Sequence, residues 1–542
     1  MKKVLEYLKK TNRWEIAYSI LLALMLVLDR HVINMDASTS TLATTSISTV
    51  SIIDLPLLVI LAVVAYLLVQ LIKYLIVKVT PLIYDKPRTN NTWWIGVILF
   101  VFIAICWIPY IMSYWPGGIY NDTLDSIHIA LHKEPMNNQN TVLYALLWRL
   151  AFAVGNIFGQ GEYGGLKVFT AMSMICLAAL FASFIAWLYK RGVRLFMVCL
   201  MTLAVAIIPI FPYYGISLWK DTTFGIVMFL YSWMLYSMIN PIGEKTDTDK
   251  MKINIHMLIR FIILSLLVAF LRNNGVYVIV FVSICILIFL RNNKDLFKKM
   301  LLTCVSVILV TVVIQGPVFS TLGYNTTGMV ECMGIPLQQT GYILATEGNI
   351  SIEDEEVLQS IMDIETWKYL YNPIVADSIK FSEFFDREYY NSHVGDFLKT
   401  YVHICIKNPV KAVKGYLLAT LGFWDATESS SSAYICKDHT AQSEYFMSDY
   451  VDYYFDKSWD SVVSPRHYIS AGLIAWIMLG ALMIIMGKDK RKAIAVLPGF
   501  ALWLTIMIAV PLAFSFRYIF PVFICIPLYL MSVSGVLNKK TG

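Results

Sequence analysis

Asp122 lies in the segment SYWPGGIYNDTLDSIHIALHKEP (113–135), four residues after Gly118. The Pro116-Gly117-Gly118 run breaks a helix, so Asp122 falls near the start of the next one, where Asn121 and Thr123 can also cap it. Asp125 and His128 follow about one turn on. A carboxylate in partly dry surroundings suits a general base, whose pKa rises with burial. Taken alone, Asp122 reads first as a helix cap, since Asp and Asn are strongly preferred there. Cations recur at three other places: Lys220 beside Asp221 in YYGISLWKDTTFG, Arg272 followed by Asn273 in FLRNNGVY, and Arg517 followed by Tyr518 in SFRYIFP. The planar fork of Arg matches phosphate with two parallel hydrogen bonds, whereas Lys acts as a point charge. The plainer alternatives are a snorkelling interfacial Lys and ordinary loop arginines. Glu331, with Gln338 in the same segment MVECMGIPLQQTGYI (329–343), can orient these cations, or the segment is a connector helix packing on the membrane.

The elements that must position these groups are apolar. The 542 residues are 58% hydrophobic and 15% charged, against roughly 25% charged in soluble domains. The mean hydropathy is +0.64. A bilayer crossing takes about 20 mainly apolar residues. Runs meeting that length are expected at 16–34, 55–78, 93–113, 166–189, 194–213, 217–239, 255–271, 274–290, 300–317, 468–487, 492–512 and 517–536. The fold expected is therefore an all-α integral membrane protein of about 12 transmembrane helices. Two precede residue 93, a core runs over 93–317 with an outer-face loop at 114–165, and three follow residue 467. Between them, 318–467 has no spanning run and reads as a mostly helical extracytoplasmic domain. Its segments SIEDEEVLQSIMDIETW and FLKTYVHICIKNPVKAVKGYLLATLGFW carry helical patterns. Residues 141–158 are apolar but short and carry Arg149, so they read as an amphipathic or re-entrant helix on the outer face.

Lys and Arg favour cytoplasmic loops. With the N-terminus inside, the loops holding Lys86 and Arg88, KRGVR (190–194), Lys245, Lys250 and Lys252, RNNKDLFKK (291–299), GKDKRK (487–492) and the tail Lys539 and Lys540 all lie inside. Both termini are then cytoplasmic, and the five candidate segments all reach the outer face. Their convergence makes an outer-facing cavity with carboxylates and several cations. Of nine cysteines, Cys332, Cys405 and Cys436 fall in the insert, where spacing permits one disulfide without establishing it. No spacing calls for a metal; a divalent ion near Asp122 and Glu331 is compatible but not required. No feature points to nucleic acid.

The ordered motifs WPGGIYNDTLDS, LWKDTTF, LRNNGVY, ECMGIPLQQTGYI and FRYIFP resemble a family of bacterial multi-spanning proteins that is itself similar to the GT-C superfamily of membrane glycosyltransferases. The resemblance runs from about residue 93 to the C-terminus. It implies a polyprenyl-phosphate-linked sugar as donor and a catalytic Asp in the first large extracytoplasmic loop, the place of Asp122. It also implies Lys220, Arg272 and Arg517 as phosphate-side cations. The chain departs from the superfamily pattern in four respects: Asn121 replaces a second acidic residue, NNQNTVLYALL replaces a His-Pro, two helices precede the matched core, and the soluble domain is inserted before the last three spans. The expectation is sugar transfer at the outer face of a bacterial plasma membrane to a cell-envelope glycan, teichoic acid or glycolipid. A transporter or flippase of lipid-linked saccharides, or a non-catalytic envelope assembly protein, are the alternatives.

Overall fold

The computed structural model describes residues 12–33, 46–88, 92–119, 121–159, 161–239, 254–325, 328–427, 470–509, 512–513 and 515–537. Lys245, Lys250, Lys252, Cys436, Lys539, Lys540 and the insert beyond residue 427 lie outside these residues, as does the side chain of Asn121. Helices dominate. The one sheet among the described residues pairs Val32–Ile33 with Ser46–Ile47.

The main helices are α1 (Arg13–Asp29), α2 (Asp54–Ile83), α3 (Trp93–Cys106), α4 (Asn121–Ala130), α5 (Val142–Ile157), α6 (Gly161–Lys190), α7 (Leu195–Ile207), α8 (Lys220–Ile239), α9 (Ile255–Leu271), α10 (Gly275–Leu290), α11 (Lys294–Val313), α12 (Gly334–Ala345), α13 (Ala471–Met486), α14 (Leu497–Ile508) and α15 (Ile526–Leu537). Among the described residues, α2, α6, α8 and Lys294–Thr321 are long and apolar enough to cross a membrane. So is α7 if counted with Ile210–Ile216, to which it is bent by 53°. Seven further apolar helices are shorter, including α3, α9, α10 and α13 to α15.

Proline explains where the expected spans break, because it lacks the N–H a helix interior needs. Pro109 follows the end of α3, Pro209 sits at the bend after α7, and Pro521 and Pro527 divide the expected span 517–536. That stretch folds as Phe516–Tyr518, Phe520–Ile524 and then α15.

Burial separates two kinds of helix. Only 17% of the most apolar stretch of α2 is buried within the protein, against 67% for α8. An apolar surface left open by its own protein belongs against lipid. The α6 and α8 helices therefore form the middle of the bundle. Around them pack α3, α5, α7, α9 and the 520–524 helix, with Tyr214 stacked on Phe520 at 3.9 Å.

The N-terminal pair carries a polar contact unexpected from the sequence. Lys73 of α2 reaches Glu15 of α1 at 2.7 Å, and Gln70 donates to Glu15 at 2.8 Å, with all three side chains buried. Each charge there has its partner, the condition under which a buried ion pair is tolerated.

The insert has a core of its own, built on Leu337, Leu358, Trp367, Tyr390, Phe397 and Leu418. The α12 helix is central, packed by Ile364–Leu370, Val394–Lys407 and Pro409–Ala419. A reciprocal cap between Ser351 and Asp354 starts Ile352–Ile361. Ile47, from the loop between α1 and α2, joins this core, so that loop and the insert share one end of the molecule. Cys332 and Cys405 are free thiols.

Candidate functional site

Backbone pairing builds the site. Gly118 N–H donates to the Ile216 carbonyl at 3.0 Å, and Leu218 N–H returns to the Gly118 carbonyl at 2.9 Å. This lays the Pro-Gly-Gly turn alongside the residues that lead into α8. Gly117 makes the approach possible. Its φ is +139°, and a Cβ there would lie 2.4 Å from the Thr170 hydroxyl and 2.7 Å from Leu218. The Leu218 carbonyl then takes two donors, the Thr123 hydroxyl at 2.7 Å and the Tyr144 hydroxyl at 2.5 Å. Thr123 thus ties α4 to the start of α8 rather than capping its own helix. These bonds hold the first turn of α4, with Asp122, against the first turn of α8, with Lys220.

The Asp122 carboxylate meets two cations on one oxygen. Arg517 Nη1 is 3.0 Å from Oδ2, and Lys220 Nζ is 4.0 Å from the same atom. Asp122 is 37% exposed, Arg517 13% and Lys220 15%. Arg517 also donates from Nη2 to the Tyr518 hydroxyl at 3.1 Å. Lys220 donates to Asn140 at 3.2 Å, and Asn140 in turn donates to Asp125 at 3.3 Å. Beside this chain of contacts, Arg272 Nη1 pairs with Asp221 Oδ1 at 2.5 Å, and Asp221 is 1% exposed. The Arg272 guanidinium lies over the Tyr518 ring, 4.9 Å from its centroid. Asp122, Lys220, Asp221, Arg272, Arg517 and Tyr518 therefore form one cluster, with Asp125 one link away.

The electrostatics of the two α4 carboxylates differ. Burial by itself raises the Asp122 carboxyl, but Arg517, Lys220 and Arg272 outweigh it and hold the group down to about 2. Asp125 goes the other way, raised by burial, with the hydrogen bond from Asn140 working against that rise and the Asp122 charge adding to it.

Four expected members serve elsewhere. Glu331 does not orient the cluster cations; it pairs with Lys380 at 2.7 Å, and Lys380 also holds Asp377 at 2.9 Å. A cation inside the insert claims that carboxylate. His128 points to the far end of α4 and meets Glu134 at 3.4 Å. Gln338 is buried and donates to the Asn372 carbonyl at 2.8 Å. Asn273 donates to the Asn138 carbonyl at 2.9 Å, which ties the Arg272 turn to the loop carrying Asn140. Asn273 is thus a positioning residue.

Sequence reasoning missed Asn140, Tyr144 and Lys380. Asn140 ends the polar run MNNQN, and polarity just ahead of an apolar helix was its only signal. The insert reaches the site through backbone: Val375 bridges Leu512, and Ala513 N–H donates to the Ile374 carbonyl at 2.9 Å, just ahead of Arg517. Among the described residues no three His, Cys, Asp or Glu side chains gather as a metal set.

A site with a surplus of fixed cations around one accessible carboxylate can bind an oxyanion and accept a proton beside it. In comparison with known proteins, the model of DUF6020, described as a family of unknown function, matches residues 130–541. Lys220, Arg272 and Arg517 lie inside that range, while Asp122 and Asp125 precede it. No curated protein matches, and no solved structure matches.

Proposed function

We propose an activity for this chain, which belongs to the DUF6020 family, from the chemistry of its site: it is a membrane glycosyltransferase that moves a sugar from a polyprenyl-phosphate donor to a cell-envelope acceptor. The reading places about 12 spans in a bacterial plasma membrane, both termini in the cytoplasm, and the site and the insert on the outer face. The acceptor is a glycan, teichoic acid or glycolipid. Its hydroxyl oxygen attacks the anomeric carbon while the bond from that carbon to the phosphate oxygen breaks. The bonding pair leaves on the phosphate, and the hydroxyl proton goes to Asp122. Arg517, Lys220 and Arg272 stabilise the second negative charge that develops on the lipid phosphate. Tyr518 and Asp221 hold the two arginines in place.

The observation that carries this reading is the convergence of Arg517 and Lys220 on Asp122, with the Arg272–Asp221 pair alongside. Four remote segments supply these groups, and Asp122 stays open to solvent. The test is sugar transfer from a polyprenyl-phosphate sugar in proteoliposomes, comparing wild type with Asp122→Asn. A loss of at least ~100-fold is expected for removing a general base. Equal rates would eliminate Asp122 as the base, and movement of the donor across the bilayer without transfer would favour a flippase.

A further inference from the structure

Of the two carboxylates in the cluster, Asp221 is sealed in and bound to Arg272. Asp122 is the exposed one, and Arg517 and Lys220 meet on its single oxygen Oδ2. Two cations converging on one oxygen also suit a phosphate oxygen, Arg517 by hydrogen bond and Lys220 as a point charge. Both cations have a second anchor that does not depend on Asp122: the Tyr518 hydroxyl for Arg517 and Asn140 for Lys220. Arg517 Nε is also buried without a hydrogen-bond acceptor among the described residues, so its fork has a donor to spare.

We infer that Asp122 Oδ2 marks the position of the donor's phosphate: the carboxylate is a built-in anion on the phosphate cradle, and an arriving prenyl phosphate displaces it from Arg517 and Lys220. The ligand class rests on the glycosyltransferase reading above. The exchange has a chemical consequence. While it holds both cations, Asp122 is a poor proton acceptor, kept ionised far below the ordinary carboxylate range. Once phosphate takes the cations, the carboxylate loses their stabilisation and becomes a stronger base beside the acceptor. The base is thereby switched on by the donor, and the donor must bind before the acceptor can be deprotonated.

Calorimetric titration of the full chain in lipid nanodiscs with geranyl phosphate tests this. The Asp122→Asn and Asp122→Ser variants are expected to bind about tenfold more tightly than wild type, because a competing charge has gone, and Arg517→Met at least about tenfold more weakly. Near pH 4 to 5, proton exchange read from buffers of different ionisation enthalpy should show wild type taking up more protons on binding than either Asp122 variant, the phosphate's own proton release being common to all three. Equal or weaker binding by the Asp122 variants overturns the displacement even where Arg517→Met has its effect and transfer persists. Equal binding by wild type and Arg517→Met removes the phosphate site itself, and the donor reading with it.

Discussion

Arg272 and Asp221 form a pair in which changing one member alone is harmful. Asp221 is 1% exposed and its partner lies 2.5 Å away. Arg272→Ala leaves a buried carboxylate without its counter-charge, which destabilises by about 3–5 kcal/mol. Thermal unfolding in detergent should show the loss, and the pair Arg272→Met with Asp221→Leu should recover most of it while failing to bind a prenyl phosphate. Asp122 sets a pH dependence of known sign. Its carboxyl is held at about 2, below the ordinary 3.8, so its contribution to stability is present above pH 3.8 and is lost as pH falls toward 2. Unfolding temperatures followed from pH 6 to pH 2.5 should fall for wild type below about pH 4. Asp122→Asn, which has no group to protonate, should fall less over that window.

The helices position these residues through contacts that tolerate little extra volume. The α5 and α6 helices meet through glycine. A Cβ on Gly165 would lie 2.0 Å from the Phe152 ring, and one on Gly155 would lie 2.3 Å from the Gly165 nitrogen. Trp148 stacks on Phe169 at 3.9 Å across the same seam, and one turn away Tyr144 reaches the Leu218 carbonyl. Gly165→Val should therefore cost about 1–3 kcal/mol by overpacking and also slow transfer, since the seam sets where α5 holds the start of α8. Tyr144→Phe keeps the packing and removes one of two donors to Leu218, a loss of about 1 kcal/mol. Comparing the two variants separates misplacement of the site from loss of a single bond. A rate deficit in Tyr144→Phe equal to that of Gly165→Val would contradict this division.

At the scale of the molecule, the insert and the membrane helices are joined at the site. The Val375 bridge to Leu512 leads into Arg517, and Ile47 enters the insert core, so the insert touches both the strand Ser46–Ile47 after α1 and the approach to the cation cluster. The proposed topology places this end outside the cell and the basic turn near Lys490 inside. Single cysteines at positions 122 and 490, in a chain cleared of its own, should react with a membrane-impermeant maleimide from opposite sides of sealed vesicles. Labelling of both from one side would overturn that topology.

The chain's own residue order determined its class and its inventory of elements. Apolar runs interrupted by Pro and Gly gave helices at 55–78, 217–239, 255–271 and 274–290 close to where they stand. These signals are local, since helix formation and proline breaks depend on neighbours within a few residues. The candidates Asp122, Lys220, Arg272 and Arg517 were legible for the same reason, as ionisable groups at the ends of apolar runs. Tertiary structure alone decided the pairings. It gave Arg517 to Asp122, Arg272 to Asp221, Lys380 to Glu331 and Lys73 to Glu15. An ion pair depends on ångström-scale distances between segments tens to hundreds of residues apart, and the interaction weakens with separation and solvent. No spacing along the chain encodes which of several cations a carboxylate will meet.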